Sequence, residues 1–131
     1  MAYFDCYLIP VRMEKLADYR RAAEAVAQVF RDHGAHRVVD AVMDTTTAND
    51  TPVVMSGFHV REFASAVRLE FGEVLILAWT EWPDKSTRDT GLAAVLKDAR
   101  ARPPAGAAQI FDGARLITAG FQDLTDQLPR A

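Results

Sequence analysis

The chain contains one cysteine, Cys6, so no internal disulfide can brace it, and this usage fits a reducing compartment. No apolar run approaches the ~20 residues that a bilayer core demands, and no membrane span is expected. Met1 to Tyr7 lack the basic start and long apolar stretch of a signal peptide, so the expected location is cytoplasmic. Lysine and arginine are nowhere concentrated: 15 of them against 18 aspartates and glutamates leave a formal charge of −3. Nucleic-acid phosphates are met by clustered cations, so a nucleic-acid partner is not expected. No glycine-rich phosphate loop, internal repeat or charge run is present, and no cofactor is expected.

What the chain has is apolar material. Half of its 131 residues are hydrophobic, which excludes disorder and suffices for one core without staples. A single domain over residues 1–125 is expected, with a short tail over 126–131.

The elements follow from periodicity. Tyr3 to Pro10 alternates as a half-buried strand, with Phe4, Cys6 and Leu8 on one face and Tyr3, Asp5, Tyr7 and Ile9 on the other. Pro10 is expected to close it. Leu16, Tyr19, Ala23, Val26 and Phe30 then recur every three or four residues, which lines them along one helical stripe ended by Gly34. His36 to Asp44 alternates again, with Val39, Ala41 and Met43 opposed to His36, Val38, Asp40 and Val42. Thr45 to Gly57 is rich in turn formers and aperiodic, a long loop. Val60 to Val67 suits a short helix. Val74 to Trp82 is the most apolar run, a buried strand by its branched and aromatic content.

Asp84 is placed to cap a second long helix, with Thr87, Gly91, Ala94, Val95 and Ala99 as its packing stripe. Pro103 and Pro104 end it, Ala105 to Ala108 link onward, and Ala114 to Leu124 forms the last strand, with Gly120 at a bulge or a close approach. The order βαββαβ builds a ferredoxin-like α+β fold: a four-stranded antiparallel sheet with both long helices on one face. The helix-free face is expected to carry Tyr3, Tyr7, Ile9, Val38 and Val42, too apolar to stay open. A second copy packed through that face is the economical cover, so a homodimer is expected.

Ala78-Trp79-Thr80-Glu81-Trp82-Pro83-Asp84-Lys85-Ser86-Thr87-Arg88-Asp89, followed by Phe111-Asp112-Gly113-Ala114-Arg115-Leu116 and Ala119-Gly120-Phe121, resembles the DUF1428 family of small bacterial proteins. Asp18-Tyr19-Arg20, His33-Gly34-Ala35 and Phe63 to Glu73 fit the same pattern. The resemblance implies a dimeric α+β barrel, in which two ferredoxin-like sheets pack face to face. Relatives in fold include cofactor-free monooxygenases, isomerases, haem-dependent enzymes and non-enzymatic proteins, so fold alone does not choose among them.

Polar residues expected inside such a barrel are the candidate site. His36 would move protons, Asp5 or Glu81 would orient it or act as base, and these three are the catalytic candidates. Tyr3, Tyr7, Asp40, Trp79 and Arg115 are the candidate ligand-binding residues: aromatic walls, an acid, and a planar cation for an anionic group. Trp79 and Glu81 share a face with Leu75 and Leu77, but which face is open, because an apolar strand does not fix its own parity. The plainer alternative pairs Arg115 with a carboxylate as a structural ion pair. The expected role is therefore to bind a small, partly apolar molecule in the dimer interior, with cofactor-free catalysis as an extension. A structural or regulatory dimer with a packed interior is the alternative.

Four further readings concern the histidines, Cys6, the element order and the start of the second helix. His33 and His36 invite a metal, but Gly34 breaks the helix between them, so the pair lacks the spacing that sets two imidazoles on one face. Cys6, expected on the helix side, reads as a buried inert thiol. An RNA-recognition module shares the element order, yet the third strand lacks its basic, glycine-containing and aromatic signature. Arg88 and Asp89 are expected to be a solvated salt bridge.

Overall fold

The computed structural model describes residues 1–45, 61–102 and 109–126. Along the chain these form β1 (Tyr3–Arg12), α1 (Leu16–Asp32), β2 (Arg37–Val42), α2 (Phe63–Ala66), β3 (Glu73–Trp82), α3 (Lys85–Lys97) and β4 (Ile117–Gln122). Short 3-10 turns precede α1, follow α3 and lead into β4. The sheet order is β2-β3-β1-β4, antiparallel at every pairing, so the first strand is central and the last lies at an edge. This is the ferredoxin-like arrangement that the element order predicts. Most of the expected long loop, the 105–108 linker and the tail beyond residue 126 lie outside the described residues.

Pro10 does not close β1. The strand runs two residues further, with Pro10 opposite Leu75. The carbonyl of Leu75 accepts from Met43 at 2.8 Å, so the backbone polar groups of Leu75 face β2 and none waits for a proline N–H. On its other side, β1 has already lost β4, whose pairing ends opposite Leu8. A proline there forfeits no ladder bond. The last strand is also shorter than expected, because Gly113–Arg115 winds into a 3-10 turn capped by Asp112, whose side chain accepts from the N–H of Ala114.

Alternation is right in β1 and β2, but the faces are exchanged. Tyr3, Asp5, Tyr7, Ile9 and Val11 stand level with Trp82, Thr80, Ala78, Ile76 and Val74, and with Val38, Asp40 and Val42 across β3. Ile9, Val11, Val74, Ile76 and Ala78 form the core with Tyr19 of α1, so this is the helix side. The opposite face carries Phe4, Cys6 and Leu8, then Leu77, Trp79 and Glu81, then Val39 and Ala41, and Ile117, Ala119 and Phe121 of β4. Cys6 is therefore not beneath the helices; it is half-buried on the helix-free face.

α1 ends where expected, at Gly34, whose φ of +108° is the left-handed region. α3 begins at Asp84, whose carboxylate accepts from the N–H of Thr87 at 2.7 Å. Its small-residue stripe has a cause: a Cβ on Gly91 would lie 2.4 Å from the Trp82 ring and 2.5 Å from the His33 carbonyl. Trp82 is fully buried in that junction. An indole buries roughly 150–250 Å², about 4–6 kcal/mol of hydrophobic stabilisation at ~25 cal/mol/Å².

Candidate functional site

Beneath α3, Asp5 is 3% exposed and is the centre of a closed cluster. Arg88 donates to it through Nη2 at 2.8 Å and Nε at 3.0 Å, and the Trp82 indole N–H donates at 3.1 Å. The Arg88 guanidinium lies 5.1 Å from the Tyr3 ring centre. The hydroxyl end of that ring lies against Gly120, where a Cβ would come within 2.0 Å of the Tyr3 hydroxyl. The expected alternatives for Gly120 thus resolve to a close approach. Burial followed by the Asp5 charge raises the Tyr7 phenol, and Arg88 opposes the rise. Arg88 is not the solvated partner of Asp89 alone; it also bonds Asp89 at 3.0 Å, but its main acceptor is buried.

Beneath α1, Tyr19 donates to Asp40 at 2.6 Å. Burial first, then Asp40, pushes the Tyr19 phenol far up, so it stays a donor. On the helix-free face the Trp79 indole N–H donates to Glu81 at 3.2 Å, with Arg37 opposite Glu81 and apolar residues elsewhere around the pair. The backbone N–H of His36 donates to the Glu81 carbonyl at 2.7 Å, which sets His36, exposed and just before β2, at the same end of the sheet. The Cys6 thiol is raised by burial and by Asp5.

Several other charges are paired. Arg115 donates to Glu73 at 2.5 Å and to the Arg68 carbonyl at 3.0 Å. That bond first, and then the bonds and charges around it, hold the Glu73 carboxyl below its usual range despite burial. His33 meets Asp98 at 2.9 Å, and Arg100 bridges Asp98 and Asp32 at 2.8 and 2.9 Å. His33 is thus tied to α3's end rather than to His36. Among the described residues no group of three or more His, Cys, Asp or Glu side chains is arranged to hold a metal.

The expected convergence of Asp5, Asp40, Glu81, His36 and Arg115 does not occur. Asp5, Tyr3 and Tyr7 are on the helix side, held by Arg88; Asp40 is on the same side, held by Tyr19; Arg115 sits in a turn before β4 and is neutralised by Glu73. The physical reason is that both acids found a fixed donor under a helix, so polar residues at strand positions do not mark the open face here. Glu81 and Trp79 do share the helix-free face; His36 joins them only through its backbone N–H to the Glu81 carbonyl, and alternation with Val38 and Asp40 turns its side chain to the helix side. Arg88 is the residue that sequence reasoning misplaced. Its spacing was a usable signal, since 88, 91 and 95 fall on the stripe that carries buried Gly91 and Val95.

A central first strand, an edge last strand and a single helical layer define a ferredoxin-like α+β protein. Rv0793 from Mycobacterium tuberculosis shares the fold with a TM-score of 0.52 at 8% identity, over 96% of this chain and 98% of that one. The sequence places the chain more narrowly: it belongs to the DUF1428 family, described as a protein of unknown function, which matches residues 2–113. It is 32% identical to the uncharacterized protein YbaA of Escherichia coli K12 over 127 residues, 97% of this chain and all of that one. The YbaA protein of Shigella flexneri matches to the same extent. No described helix is long and apolar enough to cross a membrane.

Proposed function

We propose that the protein is a cytoplasmic homodimer joined through the helix-free sheet face, and that the interior so formed takes a small, partly apolar molecule beside Trp79 and Glu81. The carrying observation is a largely apolar face with one fixed polar pair, Trp79 and Glu81, towards one end. Leu77 is 36%, Ile117 47% and Phe121 52% exposed on that face. Four strands about 4.8 Å apart, rising about 3.3 Å per residue over six to ten residues, make a face of roughly 400–600 Å² in plan. Side-chain relief adds to that area, which brings it to the roughly 600 Å² per partner of the smallest stable interfaces. Charge supports a second copy as the cover. Arg37 and Glu81 stand opposite one another at one end, so a two-fold axis can bring the arginine of one copy to the acid of the other. A free thiol on the same face fits the reducing location.

In this arrangement Glu81 accepts a hydrogen bond from the bound molecule and Trp79 supplies its flat apolar wall. Glu81 is the acid–base group that this face offers for any proton transfer. The competing reading is a dimer whose interior is filled by its own side chains. It draws support from Asp5 and Arg115, both already saturated by protein partners. Light scattering on the full chain decides the assembly. Twice the single-chain mass of 14.5 kDa is expected, falling to one copy in Leu77→Asp; a single-chain mass for the parent protein overturns the proposal. With the dimer established, a shift of the Trp79 backbone and indole N–H signals on titrating indole, lost in Glu81→Ala, supports a ligand; no shift favours the packed interior.

A further inference from the structure

One cavity lies away from the helix-free face. It lies on the other side of the sheet, between α1 and the edge strand β2, and encloses about 580 Å³. Val38, Val42 and Ile76 make its floor, with Leu16, Ala23 and Ala27 of α1 as the wall. Val42 is 53% exposed there, an apolar surface that neither α1 nor a neighbouring strand covers. Into this cleft the fold places Asp40, and the lining also carries Glu24, Arg20 and Arg31. Tyr19 donates to Oδ1 of Asp40 at 2.6 Å, which fixes the carboxylate and leaves Oδ2 as an acceptor.

The cations at the rim do not neutralise Asp40. Arg20 is bonded to Glu24 at 3.2 Å, and Arg31 to the side-chain carbonyl of Gln28 at 3.0 Å. Among the described residues no lysine, arginine or histidine forms an ion pair with Asp40, whereas Asp5 and Glu73 each have one and Asp98 has two. Asp40, itself exposed at the mouth, is held by one phenol beside a partly apolar cleft within the ~300–1,000 Å³ of ordinary ligand pockets, an arrangement that selects for a cation with an apolar body. Charge-assisted bonds of that kind are the strong ones.

The geometry points to a second binding site, in the α1–β2 cleft, for a small apolar amine whose ammonium group bonds Asp40 while its body lies on Val38, Val42 and Ile76. The phenol serves as the positioning group: without it the carboxylate is free to turn to solvent. This site stands independently of the dimer, because its lining comes from one protomer and from the opposite face of the sheet.

The test uses phenethylamine as probe and 3-phenylpropionate, which has a similar body and the opposite charge, as control, followed by amide chemical shifts of the labelled full chain. Phenethylamine at millimolar concentration is expected to move Ala23, Ala27, Val38 and Asp40, and 3-phenylpropionate to leave them in place. Asp40→Asn is expected to weaken the amine about tenfold or more. Ala23→Phe, which fills the cleft and leaves the Tyr19–Asp40 bond, is expected to abolish binding, and Leu77→Asp to leave it unchanged. No shift with the amine, an equal response to the acid, or undiminished affinity in Asp40→Asn with an unchanged parent spectrum overturns the site. Shifts centred on Leu77 and Trp79 instead would assign the amine to the interior of the dimer and also overturn it.

Discussion

Arg88 on α3 grips Asp5 on β1 side-on, with Nη2 at 2.8 Å and Nε at 3.0 Å from its two oxygens. This contact fastens the second long helix to the central strand, across 83 residues of sequence.

The two partners are not equally exposed, and truncating each should cost differently. The Asp5 side chain is 4% exposed and that of Arg88 is 24%. Arg88→Ala strands a buried carboxylate with the Trp82 indole alone, an expected loss of about 3–5 kcal/mol in urea unfolding. Asp5→Asn keeps an acceptor for both donors and lets the guanidinium turn outward, with an expected loss of about 1–3 kcal/mol. Equal losses would contradict this reading of the cluster.

Gly120 is expected to tolerate no side chain while Tyr3 is present. In Gly120→Ala the new methyl group meets the Tyr3 hydroxyl, the ring must leave, and Arg88 loses its stacking partner; overpacking of this kind costs about 1–3 kcal/mol. Gly120→Ala in a Tyr3→Ala background should cost far less. The coupling in a double-mutant cycle is the measurement.

Acid should weaken the link between β3 and the turn before β4. The folded pKa of Glu73 is depressed, chiefly by Arg115. Its contribution to stability is therefore complete above the ordinary glutamate pKa of about 4.3 and is lost as pH falls through the lower folded value. Arg115→Gln should flatten the fall in unfolding midpoint between about pH 5 and pH 3 relative to the parent protein. Parallel profiles would remove Glu73 from the acid response.

Cys6 offers a reporter of the helix-free face. Its thiol is raised by burial and by Asp5 and so reacts slowly. If a second copy covers that face, Leu77→Asp should release the thiol, and the rate of modification by an aromatic disulfide at pH 8 should rise with loss of the dimer. An unchanged rate would mean that Cys6 lies outside the contact.

The elements were legible in the sequence because each has its own signal: Asp84 before α3, Gly34 after α1, strict alternation in β1 and β2. Which face each strand turns to the helices was not. Alternation reports two sides without naming them, and here the side under the helices holds Asp5 and Asp40 while the open side is nearly all apolar. An acid looks like a solvent-facing or cavity-facing residue until its donor is known, and Arg88 stands 83 residues away from Asp5. Trp79 and Glu81 could be paired from their spacing of two, and the register with Cys6 and Phe4 supplied the face.

The strand order carries a consequence for how the chain is made. β1 emerges first and occupies the middle of the sheet, yet one of its flanks waits for residues 117–122, so no nascent chain shorter than that can complete the ladder. Pairing over so long a separation is slow to form. Throughout synthesis the flank from Tyr3 to Leu8 stands open to strands of neighbouring chains, and Pro10, which can donate nothing, marks the point beyond which no intruding strand can extend the pairing.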